Sequence, residues 1–350
     1  MRLPTPKKTS PLRQLLAVLG LAASLLGTTA QAREIVDMAG RKVVVPDHIQ
    51  RVYGSAPPLT VLLHAVAPDM MLGTNLTVPP EGKRYLPPKL SRLPVLGGVY
   101  GMGQAVNPEE LLALKPDIAL AWKSPFVDQA MVEATFAKIH VPVVFVSLDT
   151  LADWPAALRF TGRLLHRQAK ADAVADYVAR AQVRVTRAVA NIPQKERLRV
   201  YYAEGPDGLS TDCNSSFHTE AIALAGGDNV YHCRPKTHMG MESVSLEQVI
   251  AFDPQVILVQ DRKALAAIRQ DPRWAGIGAV RNGRVYAIPR WPHNWVDRPP
   301  SLMRALGIQW LAHLFYPQRY PLDLPRETRH FYRLVLGVEL SDGDLEALFH

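Results

Sequence analysis

The sequence predicts an α/β protein of two Rossmann-like lobes, each built on a central, mainly parallel sheet, joined by a single long α-helix. Three observations predict it. Short apolar, β-branched runs alternate with helical spacing in both halves of the chain. The stretch Asn107-Pro108-Glu109-Glu110-Leu111-Leu112-Ala113-Leu114-Lys115-Pro116-Asp117-Ile118-Ala119-Leu120 is answered 138 positions later by Ser245-Leu246-Glu247-Gln248-Val249-Ile250-Ala251-Phe252-Asp253-Pro254-Gln255-Val256-Ile257-Leu258. Between the two copies, Ala171, Val174, Val178, Ala181, Val185 and Val189 recur at three- and four-residue steps with charges between them. Each copy reads as a short helix, a Pro that stops it, and a buried strand. A period this long is not that of a solenoid, whose units run about 20–50 residues. Two lobes imply a cleft, and clefts hold ligands.

The elements follow in order. Residues 1–32 read as a secretory signal: Lys7, Lys8 and Arg13 are its positive start, Leu15 to Leu26 its apolar core, and Ala30-Gln31-Ala32 a small-x-small cleavage site after Ala32. The apolar run is shorter than the ~20 residues a membrane span needs. Residues 33–150 form the first lobe. Glu34 to Val45 is a hairpin turning at Asp37-Met38-Ala39-Gly40-Arg41, Arg51 to Gly54 a strand, and Leu59 to Val66 a helix. Asp69 to Gly73 leads into a further strand, and a Pro-rich loop covers Val78 to Pro88. The first repeat copy supplies strand Ile118 to Trp122, then helix Met131 to Ile139 and strand Val141 to Val146. Residues 151–192 are the link, with a helix from about Ala169 to Ala190, roughly 33 Å long at 1.5 Å per residue.

The second lobe spans 193–318. It has strand Leu198 to Ala203, helix Thr219 to Ala225, the second repeat copy, an Asn282-Gly283 turn feeding strand Val285 to Ile288, and helix Ser301 to Leu314. Residues 319–350 form a helical tail. A chain of about 318 residues after cleavage is ample for two domains. Cleavage lowers the formal charge from +8 to +4, too mild to argue for nucleic acid. In an oxidising compartment Cys213 and Cys233 read as a disulfide closing a loop of about twenty residues, worth roughly 3 kcal/mol. The other reading makes them metal ligands.

These features together resemble the periplasmic binding proteins of the iron-siderophore and cobalamin class, which serve ABC importers. The resemblance rests on Asn107 to Leu120, the helix near 169–190, Ala225-Gly226-Gly227-Asp228-Asn229-Val230, Ser245 to Leu258 and Arg281-Asn282-Gly283-Arg284-Val285-Tyr286. It implies that Glu109 and Glu247, one per lobe, dock on Arg residues of a membrane permease. As residues alone, each Glu also suits the first turn of its helix, where negative charge favours the dipole.

Ligands of open α/β sheets sit beyond the carboxyl ends of the strands. The loops there offer Tyr53, Arg84, Tyr85, Tyr100, Trp122, Lys123, Thr211, Arg290, Trp291 and Trp295. Aromatic faces and Arg forks suit an anionic metal chelate or a flat macrocycle. The segment Cys213 to Met241 is rich in soft and borderline donors but lacks tight metal spacing. The stretch Trp291-Pro292-His293-Asn294-Trp295-Val296-Asp297-Arg298-Pro299-Pro300-Ser301 resembles the late loop of family members that handle iron or nickel chelates, which makes His293 the leading candidate for direct metal contact, with His238 and His218 behind it. The expected function is delivery of a metal chelate to an ABC importer permease from the periplasm, by a monomer with no covalent cofactor. The cargo order is ferric siderophore, then nickel or cobalt chelate, then haem and cobalamin. The sequence holds no Gly-x-Ser-x-Gly, His-Glu-x-x-His, phosphate loop or complete dinucleotide fingerprint, so it is read as a non-enzyme. A metal-dependent hydrolase or a metal chaperone are the rival classes.

Overall fold

A computed structural model describes residues 31–100, 103–237 and 239–349. The charged start and apolar core of the expected signal segment, and His238, lie outside these residues. The hairpin is present: β1 (Ala32–Val36) and β2 (Lys42–Pro46) pair antiparallel. Asp37 organises its turn, accepting from the Ala39 and Arg41 amides at 2.9 and 3.0 Å and pairing with the Arg41 guanidinium at 2.7 Å.

The first sheet is β3 (Val52–Gly54), β4 (Ile118–Lys123) and β5 (Val143–Ser147), all parallel in that order. The apolar runs are buried on both faces, as parallel strands covered by helices must be. Its helices are α1 (Pro57–Val66), the short α2 (Pro80–Lys83), α3 (Pro108–Ala113) and α4 (Gln129–Ala137). The strand expected after Asp69 is instead a 3-10 turn, Pro68–Met70, followed by the single bridges Val52 to Met71 and Thr74 to Val95. Pro68 and Gly73 interrupt a stretch too short to propagate a ladder.

The link holds two helices, α5 (Trp154–Leu164) and α6 (Gln168–Val189). Helix α6 begins and ends within one residue of the expected span. The chain turns between them at His166, φ 55°, where the Arg167 amide caps the Gly162 carbonyl at 2.7 Å. A Cβ on Gly162 would overlap that of Ala171, so this glycine lets α5 lie against α6. The 151–192 segment is therefore a helical hairpin rather than a single rod, with the break at His166 separating α5 from α6.

The second sheet is parallel, in the order β11 (Val285–Ala287), β10 (Val256–Val259), β6 (Leu198–Ala203), β8 (Gly227–Asn229). Strand β8 carries no strand signal in the sequence, because Gly226-Gly227 ends the preceding helix and leads straight into a three-residue edge strand. The small antiparallel pair β7 (Ser210–Thr211) and β9 (Glu242–Ser243) sits beside it. The helices are α7 (Glu220–Leu224), α8 (Leu246–Phe252), α9 (Arg262–Gln270), α10 (Gly278–Arg281) and α11 (Arg304–Phe315). The tail forms α12 (Leu324–Phe331), a π-helical turn (Tyr332–Leu336) and α13 (Asp342–Phe349).

The two repeat copies use one backbone solution. Asn107 caps α3, accepting from the Glu109 amide at 2.9 Å, and Ser245 caps α8 with Gln248 returning the bond to the Ser245 amide at 2.8 Å. Each helix ends on a left-handed residue before the Pro: Lys115 at φ 48° and Asp253 at φ 40°. After each Pro, the Asp117 amide donates to the Arg51 carbonyl and the Gln255 amide to the Arg199 carbonyl, both at 2.8 Å. Their side chains then accept from the neighbouring strand, at 2.8 Å from the Arg51 amide and 3.0 Å from the Arg199 amide. This explains Asp or Gln after the Pro: both offer an acceptor that sets the register of the next parallel strand.

Helix α11 lies against the loop that precedes it through Gly307, whose absent Cβ would overlap the Trp295 carbonyl oxygen. Gly307→Ala is expected to destabilise the fold by about 2–3 kcal/mol, as overpacking of a close backbone approach does. Urea unfolding at neutral pH measures it; a shift within 0.5 kcal/mol or so would show that the helix moves aside freely.

Candidate functional site

Residues that follow the strands of both sheets face one cleft. Pro57 and Pro58 open α1 after β3, Trp122 is the penultimate residue of β4 and Phe126 follows that strand; Phe217, His218, Met239 and Arg298 to Pro300 come from the second lobe. With Leu76 and Tyr100 they enclose a cavity of about 140 Å³. Its walls are aromatic. Trp122 meets Phe217 edge-on at 6.3 Å between centroids, Phe126 lies 5.8 Å from Phe217, and Phe217 stacks on His218 at 4.0 Å. The Tyr100 hydroxyl donates to the Phe126 carbonyl, tying the rim together.

Beneath the cavity lies a buried ionic cluster. Arg298 donates from Nε to Glu204, from one terminal nitrogen to Asp212 at 2.7 Å, and from the other to the Met239 carbonyl at 3.1 Å. His218 Nδ1 sits 2.6 Å from Asp297 Oδ2. Glu204, Asp212 and Asp297 are at most 1% exposed. Burial, reinforced by the hydrogen bond to Asp212, pushes the Glu204 carboxyl well above the usual carboxylate range in spite of Arg298. Burial opposes the imidazolium of His218, but the Asp297 carboxylate outweighs it and raises the pKa. Asp212, His218 and Asp297 could bring donor atoms within 4.8 Å of one another, yet Arg298 already supplies the positive charge there.

A second cavity of about 450 Å³ lies across the Arg298-Pro299 ridge, and both cavities share Leu76. Arg290 and Trp291 line it, the guanidinium resting 4.6 Å above the indole. His293 separates this space from a small inner cavity that His64 also lines. Burial pushes the His293 imidazole down to about 4 and that of His64 to about 3, so both are neutral at neutral pH.

The structure brings Tyr100, Trp122 and His218 to the first cavity and Arg290, Trp291 and His293 to the second. It takes others away. Tyr53 is buried, donating to the Gly97 carbonyl at 2.8 Å; Tyr85 is buried under the tail, donating to the Asp344 carbonyl at 3.0 Å. Trp295 is fully buried against Trp310, Tyr332 and Phe349. Their ring faces are used up in packing, so the reading of these three as ligand contacts is corrected. Arg84 stacks over Tyr85 and faces Asp344 at 3.6 Å, on the tail side rather than the cleft. Lys123 is half-buried at the end of β4 but lines neither cavity, and Thr211 is buried beside Asp212. Cys213 and Cys233 are joined in a disulfide, Cα atoms 5.1 Å apart, with Glu242 3.8 Å from Cys213 Sγ. Glu109 and Glu247 are exposed in the first turns of α3 and α8. The sequence reading missed Arg298, Asp297, Asp212, Glu204, Phe126 and Phe217. The one usable signal was Asp297-Arg298 inside an apolar, Pro-rich stretch, where an ion pair has no solvent to face.

A family model described as "Periplasmic binding protein" matches residues 66–291. The molybdate-binding protein MolA of Haemophilus influenzae is 28% identical over 340 residues, covering 89% of this chain and 93% of that protein. Its structure with molybdate bound superposes with a TM-score of 0.72 at 26% identity, over 88% of this chain and 99% of that chain. An ABC transporter solute binding protein from Sulfurospirillum deleyianum matches with a TM-score of 0.85 and 38% identity, over 91% of this chain and 99% of that one. A vitamin B12-binding protein from Pectobacterium carotovorum is 27% identical over 211 residues, 60% of this chain and 71% of that protein.

Removing the Arg298 charge strands Asp212 and Asp297 as buried anions. Arg298→Met is expected to cost about 3–5 kcal/mol at pH 7, measured by urea unfolding; a loss below about 1 kcal/mol would show that the cluster tolerates the missing charge. Glu204 provides a sign test. Its folded pKa exceeds the unfolded one, so the native state holds an extra proton from the ordinary Glu value upward, and stability falls as pH rises through that window. Glu204→Gln should flatten this part of the urea midpoint against pH; an unchanged slope would show that Glu204 is ionised in the fold.

Proposed function

The chain belongs to the periplasmic binding protein family, and we propose that the cargo it carries for an ABC importer is a small metal chelate with aromatic rings at its periphery. A ferric siderophore is the first choice and a nickel or cobalt chelate the second. The observation that carries this reading is the aromatic cavity with His218 in its lining, oriented by a buried carboxylate. A carboxylate behind a His ring fixes its orientation and raises its basicity toward a metal. A cavity of about 140 Å³ takes the core of such a chelate; haem or cobalamin needs the walls to separate. Neutral His293 serves the same chemistry from the second cavity, where Arg290 on Trp291 suits a carboxylate of the ligand. The likeness to MolA makes molybdate the rival cargo, to be decided by titration. A hydrolase is disfavoured because the buried carboxylates of the floor are bound to Arg298 and His218.

Glu109 and Glu247 suit the docking role. They occupy matching places in the repeat, both exposed, and charge complementarity with a basic permease sets register and on-rate. At Glu247 its own amide, then the Ser245 hydroxyl, hold the carboxylate below its usual range, so it stays ionised in mildly acidic medium.

Two outcomes test this. His218→Ala should weaken binding of a ferric catecholate complex about tenfold or more and shift its visible absorption band; equal affinity with an unchanged band would remove His218 from the metal. Glu109→Lys with Glu247→Lys should abolish uptake in cells while purified protein binds as before. Equal loss of binding would end the docking role.

A further inference from the structure

The start of α1 is where an anion site would be expected in a fold of this kind, since helix N-termini present free amides and a positive dipole end. Here that end is stripped of donors. Pro57 and Pro58 occupy its first two positions, line the cavity, and have no N–H. The Leu59 and Thr60 amides turn back to the Ala56 carbonyl at 2.9 and 3.3 Å, and the Ser55 amide donates to the Leu120 carbonyl at 2.9 Å. Only the amide of Ala56 is left, and Ala56 does not line the cavity. On the opposite wall, three of the five N–H groups of Arg298 already donate, to Glu204, Asp212 and the Met239 carbonyl. The Arg298 charge is matched by two carboxylates, Asp212 at 2.7 Å and Asp297 at 3.6 Å. Among the described residues the rest of the lining is Leu76, Tyr100, Trp122, Phe126, Phe217, Met239, Pro299 and Pro300, with His218.

A bare tetrahedral oxyanion entering this space would lose its water and find no amide at the start of α1 to replace it, which is costly for a charged group. We infer that Pro57 and Pro58 are specificity residues that close the cleft to bare oxyanions and reserve it for a ligand whose charge is already covered by its own organic shell. The inference rests on the cavity being the ligand site.

Titration calorimetry with sodium molybdate, sodium sulfate and a ferric catecholate complex tests it, with intrinsic tryptophan fluorescence as a second readout. The wild-type protein should show no saturable oxyanion binding up to millimolar concentration. Pro58→Ala, and more so Pro57→Ala with Pro58→Ala, should gain molybdate binding by at least tenfold while circular dichroism stays unchanged. Micromolar binding of molybdate by the wild type overturns the inference, as does a folded double variant with no gain. If the variants do not fold, the wild-type titration decides alone. Failure of the ferric catecholate to bind, with oxyanions also rejected, sinks the proposed cargo and leaves the exclusion standing.

Discussion

A buried guanidinium cannot be left to the solvent it has lost, and Arg298 dictates much of the second lobe for that reason. Its side chain is 8% exposed and bonded to Glu204, Asp212 and the Met239 carbonyl, which come from three separate loops. Satisfying one ion therefore fixes where the chain goes after β6, after β7 and before β9. Asp297 carries the constraint further, because the same carboxylate that lies 3.6 Å from Arg298 orients His218. Arg298 itself sits at φ 52°, a region a non-glycine residue holds only when its surroundings over-determine it. The Arg298-Pro299-Pro300 ridge, which parts the two cavities, is the visible result.

The repeated motif shows how a local rule can build both halves. A capped helix, a left-handed turn, a Pro and an amide-accepting side chain together deliver a strand in register with its parallel neighbour. Nothing in that device depends on which lobe it occupies. The lobes differ in what surrounds it: three strands in the first sheet, four in the second, with β8 added at the edge. The exposed Glu of each copy stands one residue from a Pro in α3 and one from a Leu in α8, so the polar surface is conserved between the copies while the packing below is not.

What the sequence made legible follows from the range of the forces involved. Periodicity and caps act over a few residues, so the hairpin, the strands at 118 and 198, both repeat copies and α6 could be read directly. Tyr53, Tyr85 and Trp295 could not be placed, because a loop aromatic beside a strand end has the same sequence signature whether it faces a cleft or a core. Which it faces depends on what folds over it, and for Tyr85 and Trp295 that is α13, more than fifty residues away. The Arg298 cluster was invisible for a related reason: its members are scattered over more than ninety positions, and only a folded second lobe brings them within hydrogen-bond reach.

The tail bears on how the cleft works. From the π-helical turn and α13, backbone carbonyls accept from His64 on α1, Lys170 on α6 and Tyr85 of the first lobe, while the Tyr332 hydroxyl donates to the Trp291 carbonyl in the second. One segment is thus hydrogen-bonded to both lobes and to the helix between them. Glu220 adds a second tie, accepting from the Leu151 amide at 3.0 Å and from Arg304. Moving one lobe far from the other would break several buried or half-buried bonds together, each worth about 0.5–1.5 kcal/mol and more where a charge is involved. A cleft braced in this way recognises its ligand by walls that are already in place. Selectivity then has to reside in wall chemistry, in aromatic faces, a carboxylate-backed imidazole and amides withheld by proline, rather than in the energy of a wide closure.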